Sequence, residues 1–289
     1  MLGSAAVTGA AQAGERPPMP NVGLGGETKG AAAVRALGRD LPAVAAHYRM
    51  SPERLQEILT KDGTSRLDRG GRLFFVEQPA STAPSTPPIA QTYVTDLTQT
   101  FLLNSKPGAS KLLYLDFDGY STSGSAWNGG AAITAQPYDT DGIPGSFSDA
   151  EKTAITNIWR RVAEDYATFD VNVTTQDPGA AAIQRASSTD QNFGTRVVIT
   201  KNTFYNCSCG GVAYVGTYDY ASASNPDYYQ PAWVFFDALG NGNEKYVAEA
   251  ASHEAGHNLG LSHDGRSNPV EGYYAGHGTG ETGWAPIMG

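Results

Sequence analysis

Residues 253–263 read His253-Glu254-Ala255-Gly256-His257-Asn258-Leu259-Gly260-Leu261-Ser262-His263, and no other stretch restricts the fold as strongly. Three of the chain's five histidines lie in it. His253 and His257 are four residues apart, so on an α-helix both rings share one face, one turn apart. Two imidazole nitrogens can then reach one zinc ion at about 2.0–2.1 Å. Glu254 lies about 100° round such a helix, beside the metal rather than bound to it. A carboxylate there can take a proton from water. His263 comes six residues after His257 and would point away on a continuous helix. The helix must therefore end and the chain turn back, and Gly260 is the expected turn, because glycine accepts positive φ at low cost. Three histidine ligands leave a fourth position open, which suits a catalytic rather than a structural zinc. The competing reading, a helix with surface histidines that bind nothing, explains neither Gly260 nor His263 at those offsets.

The rest of the chain divides by composition. Residues 1–28 form a leader whose start, MLGSAAVTGAAQAG, has no side-chain charge and ends in a small-residue pattern that a signal peptidase could cut. The basic start and strong apolar segment of a full secretory signal are missing, so a clipped export signal and an Ala/Gly leader both stay open. Residues 29–79 read as a small helix-helix-hairpin unit. Ala31–His47 is broken at Pro42, Ser51-Pro52-Glu53 opens a second helix, and Arg66–Val76 forms two strands around Gly70-Gly71. The two helices could be taken for a DNA-reading pair, but few basic residues cluster on the second. Residues 80–106, which hold all but the first two residues of the Pro/Ser/Thr-rich stretch QPASTAPSTPPIAQT, form a linker.

From residue 107 to 289 the pattern is that of an α/β domain. KLLYLDFDG is a strand ending in an Asp-Gly turn. A long helix follows Ser148, with Glu151 completing a capping box and an apolar stripe from Ile155 to Phe169. VNVTT, RVVIT, GGVAYVG and AWVFFD supply further strands, and the last helix carries the histidine motif.

A net charge of −9 argues against nucleic acid as a partner, and no apolar run is long enough to span a bilayer. Cys207 and Cys209 are read as two reduced thiols in a loop, with a local bridge as the alternative. Asp116/Asp118 and Asp139/Asp141 each precede a glycine and leave Ca2+ open as a second ion. The glycine comes too early for an EF-hand, so turn formation is preferred.

The motif resembles H-E-x-x-H-x-x-G-x-x-H of the metzincin zinc endopeptidases, and WAPIMG resembles their Met-turn. Asp264 after the third histidine is similar to the reprolysin (adamalysin) branch. Two cysteines cannot supply the several disulfides usual there, which points to a bacterial-type relative. The resemblance covers roughly residues 107–289. It implies an α/β, metzincin-like catalytic domain with a mixed, mostly parallel five-stranded sheet and an active-site helix. It further implies a secreted, extracellular zinc endopeptidase that hydrolyses peptide bonds of protein or peptide substrates. One Zn2+ would be held by His253, His257 and His263, with Glu254 as general base. Met288 would floor the site, and Pro286 and Ile287 would wall the S1′ pocket. Gly211, Val212, Ala213, Tyr214 and Val215 would form the edge strand on which substrate lies extended. Metzincin domains continue past the Met-turn, so the end at Gly289 reads as a truncation. The alternative function is therefore a catalytically impaired zinc-containing peptide-binding or surface module. The N-terminal unit stands where a zymogen's pro-segment would. It has no cysteine, which excludes a cysteine switch and leaves an aspartate or a backbone group as its zinc contact. A third reading makes the HEAGH stretch structural, with His277 as an extra ligand, against the plainer reading of His277 as a loop histidine.

Overall fold

The computed structural model describes residues 16–79, 96–278 and 283–289. Residues 1–15 of the expected leader over 1–28 lie outside the described residues, as does the linker from 80 to 95, whereas Val22 and Leu24 join the core of the N-terminal unit and Thr28 bridges Leu67.

The N-terminal unit begins with three short helices, α1 (Gly30–Leu37), α2 (Leu41–His47) and α3 (Pro52–Lys61). Pro42 sits in the first turn of α2, where its missing N–H costs nothing. Ser51 caps α3 by accepting a hydrogen bond from Arg54 N–H. The chain then forms the hairpin β1 (Ser65–Leu67) and β2 (Leu73–Glu77). Leu37, Val44, Leu55, Leu59, Leu67 and Leu73 fill the core beneath it. Burying each such side chain stabilises the fold by about 1.5–3 kcal/mol.

The remainder comprises β3 (Lys111–Asp116), the ribbon β4 (Tyr120–Thr122) and β5 (Ile133–Ala135), and α4 (Asp149–Asp165). It continues through β6 (Val171–Thr174), α5 (Ala180–Ile183), β7 (Phe193–Thr200), β8 (Gly211–Tyr214), β9 (Ala232–Phe235) and α6 (Glu244–Asn258). A last small ribbon joins β10 (Arg266–Ser267) to β11 (Val270–Glu271). The capping box of Ser148 and Glu151 closes α4. That helix stops at Asp165, so Phe169 leaves the apolar stripe and is exposed.

Five strands in the order β8-β9-β7-β3-β6 make the expected sheet, parallel except at β8. It is extended to seven strands because β2 pairs antiparallel with β8. The hairpin is thus continuous with the larger sheet. Side chains alternate across it, as a strand's period of two requires. Leu113, Val197, Ala213 and Val234 face α4 and α6, while Val198, Val212, Trp233 and Phe235 face Trp127 and the β4–β5 ribbon. Helix α6 is lined with Ala248, Ala251 and Ala255, all buried, and these small side chains let its backbone lie close to the sheet.

Residues 103–105, read as linker, run along β6 instead: Ser105 N–H donates to Val173 O and Thr175 N–H to Leu103 O. A second difference concerns the cysteines. Cys207 and Cys209 form a disulfide with Cα atoms 5.2 Å apart, which corrects the expectation of two free thiols. The loop bends enough to bring an i,i+2 pair within bridging reach.

Candidate metal centre

Helix α6 presents His253, Glu254 and His257, all buried, on the side facing β8 and β2. After Asn258 the chain reverses. Gly260 has φ 100°, its N–H donates to His257 O, and Leu261 N–H donates to Gly256 O. These are the paired bonds of a Schellman ending, which needs a positive φ at that residue. The reversal carries His263 back to the two helical histidines.

The proton positions follow from the partners of each Nδ1. His253 Nδ1 lies 2.6 Å from Ile287 O and His257 Nδ1 lies 2.9 Å from Leu261 O. His263 Nδ1 lies 2.6 Å from Asp62 Oδ2. All three partners can only accept, so each Nδ1 carries the hydrogen and each Nε2 turns a lone pair inward. His253 Nε2 and His263 Nε2 stand 3.1 Å apart. Two facing lone pairs at that distance repel unless a cation or proton lies between them.

Glu77, at the end of β2, completes the group. Its Oε1 is 2.9 Å from His263 Nε2, 3.7 Å from His257 Nε2 and 3.9 Å from His253 Nε2. One donor atom from each of these four residues lies within 4.8 Å of every other. Glu77 Oε1, His257 Nε2 and both carboxylate oxygens of Glu254 are buried without a hydrogen-bond partner. Unpaired buried polar atoms are costly in a fold with no further use for them. Three imidazole nitrogens and one carboxylate oxygen are donors of the kind that would hold zinc.

The electrostatics agree. Burial pulls His257 down to about 4. His263 rises to about 9 because Asp62 and Glu77 outweigh its burial. Burial also works against the charge on Glu77, yet the three rings hold its carboxyl well below the usual range. Glu254 moves the other way, pushed well above the usual range by burial and then by the charge of Glu77.

The surroundings are tightly fitted. A Cβ placed on Gly211 would come within 2.7 Å of Glu254 Cδ, so a bare backbone is required where Glu254 meets β8. Met288 is buried, and its Sδ would lie 2.6 Å from a Cβ on Gly256, directly against α6. Asp264 N–H donates to Met288 O. Pro286 is half-buried and Ile287 exposed at the same turn. Phe75 stacks on His257 with ring centres 4.4 Å apart and packs on His263 at 4.3 Å. Tyr273 meets His263 edge-on at 4.6 Å.

Two of these carboxylates, Glu77 and Asp62, are not singled out by sequence reasoning. Glu77 has one local signal, an acid closing the apolar strand Leu73–Val76 in a unit without cysteine. Asp62 has none beyond its place after α3. His277 does not join the group: its Nδ1 lies 2.7 Å from Tyr274 Oη and its ring packs against Trp284. Among the described residues a second group, Asp139, Asp141 and Glu151, could also hold a cation. Its oxygens already accept backbone N–H bonds: Gly142 and Ile143 donate to Asp139, and Thr140 and Ser148 donate to Glu151. Asp116 pairs with Arg196.

Residues 148–264 match the family model described as metallo-peptidase family M12B, reprolysin-like. The matched stretch runs from the N-cap of α4 to the residue after His263. No curated protein and no solved structure matches the chain.

Proposed function

We propose that the chain is a zinc-dependent endopeptidase whose ion is held by His253, His257 and His263. One observation carries this reading: three inward-facing Nε2 atoms converge beside a buried Glu254 whose oxygens bind nothing else. Zinc bound there supplies Lewis acidity, polarising a scissile carbonyl and making water more acidic. Glu254 is the general base. It takes a proton from the attacking water and passes it to the departing amine nitrogen. A carboxyl whose proton affinity is raised by burial suits a group that must both accept and release that proton. Substrate backbone would pair with residues 211–215 on the edge that β2 covers in this structure, where the bare backbone of Gly211 leaves room for Glu254. Met288 supports the helix at Gly256, and Pro286 with Ile287 walls the side of the cleft that receives the leaving half. Among the described residues no helix is long and apolar enough to cross a membrane. The Cys207–Cys209 bridge supports an oxidising, extracellular setting.

A second reading, a zinc-containing peptide-binding module without turnover, is favoured by a specific observation: Glu77 Oε1 lies 2.9 Å from His263 Nε2, where it would compete with a water or carbonyl for the metal. Metal analysis paired with Glu254→Ala separates the two. For the peptidase, the variant keeps about one zinc per chain and loses hydrolysis of denatured protein by about a hundredfold or more. Hydrolysis that persists unchanged in the variant would sink the assignment.

A further inference from the structure

We propose that residues 16–79 act as an intramolecular plug, with Glu77 as the fourth metal ligand and β2 lying where substrate would lie. The proposal deepens the peptidase reading and rests on it for its hydrolysis arm alone. Strand β8 has two edges. One is bonded to β9, and β2 takes the other through the register Phe74↔Tyr214, Phe75↔Ala213, Val76↔Val212 and Glu77↔Gly211. An incoming peptide therefore finds no free edge. The register also places Glu77 opposite Gly211, the residue against which Glu254 packs, so the plug delivers a carboxylate to the reacting position.

The remaining contacts hold that carboxylate in place. Phe75, two residues earlier on the same face, covers His257 and His263. Phe74 and Val76 point to the opposite face and join Trp127, Tyr214 and Trp233 in the second core. The buried Arg72 guanidinium lies 4.2 Å from the centre of the Tyr229 ring. Arg16 donates to Gly216 O and pairs with Asp219 at 3.3 Å. Asp62 grips the far nitrogen of His263, so the plug touches the third ligand from both sides. A carboxylate tethered in this way competes at an effective concentration that a free ligand reaches only at millimolar levels or above.

The test uses the full chain loaded with Co2+ in place of zinc, with acetohydroxamate as the probe. In the parent protein the cobalt visible bands should not move when acetohydroxamate is added. In Glu77→Ala the bands should shift without any addition, and acetohydroxamate should bind at least about tenfold more tightly. Glu77→Gln keeps the size of the side chain and guards against a folding failure in the alanine variant; its bands should shift too. Bands identical in all three proteins would overturn the proposal. If the variants bind the probe yet cleave no denatured protein, the plug stands and the peptidase reading falls. Failure of every form to take up cobalt overturns both.

Discussion

Replacing Asp62 with asparagine should weaken zinc binding by about ten- to a hundredfold, although Asp62 does not touch the metal position. The argument is one of donors and acceptors. Asp62 Oδ1 accepts from Thr64 N–H at 2.9 Å and from Thr64 Oγ1 at 2.6 Å, while Oδ2 accepts from His263 Nδ1 at 2.6 Å. Asparagine has one acceptor oxygen and one amide nitrogen that only donates. With its oxygen toward Thr64, the NH2 group confronts the His263 Nδ1–H. With the amide turned round, it confronts Thr64 N–H instead. In the first case His263 relieves the clash only by moving its proton to Nε2, which removes the lone pair the metal needs. In the second, the half-buried Thr64 N–H loses its acceptor, at about 1 kcal/mol. The first route deprives His263 of its outer partner and the second trades a carboxylate for a neutral oxygen; both weaken the ring as a ligand, and the outer partner of a metal-bound histidine is worth roughly ten- to a hundredfold. Competition with a chromophoric chelator at fixed pH, on the full chain, measures it. Equal zinc affinity in Asp62→Asn and the parent would refute the reasoning.

Three further outcomes can be checked. Gly211→Ala brings a methyl group within 2.7 Å of Glu254 Cδ and 2.8 Å of Cγ. It should cost about 1–3 kcal/mol, seen as a midpoint several degrees lower on thermal unfolding; an unmoved midpoint contradicts the packing described. With His263 raised to about 9 and His257 lowered to about 4, the metal-free chain at pH 7 holds its proton on His263. Zinc entry should then release about one proton, with affinity climbing roughly tenfold per pH unit before levelling above about pH 9. Calorimetry in two buffers of different ionisation enthalpy reads this directly, and identical heats would argue against it. Metal-free stability should run the opposite way, because the His263 contribution is complete below 6.5 and is lost as pH rises through about 9.

What could be read in advance was local. The spacing of His253, His257 and His263 around Gly260 follows from helix geometry, and the Ser148–Glu151 cap and the five strands follow from short-range patterns. The hairpin itself was also legible from Gly70-Gly71. Its destination was not. Strand β2 is buried at every position, so its sequence lacks the polar alternation that would assign faces or a partner edge. Glu77 and Asp62 gain their meaning from side chains far along the chain, and no spacing rule reaches that distance. The Cys207–Cys209 bridge depended on how sharply one loop bends, which neither residue specifies. Phe169 fits the helical period, yet α4 ends before reaching it.

The bond between Asp62 and His263 joins positions 201 residues apart. A metal shared by Glu77 and the histidines, as proposed above, would thus also be a reversible cross-link between the first and last thirds of the molecule. In the chain-entropy treatment, tying off a loop of such length removes about 5 kcal/mol of freedom from the unfolded chain. A chelator should then act as a denaturant for this protein. A backbone cut between residue 79 and residue 96 should leave two fragments that stay together until the metal is withdrawn.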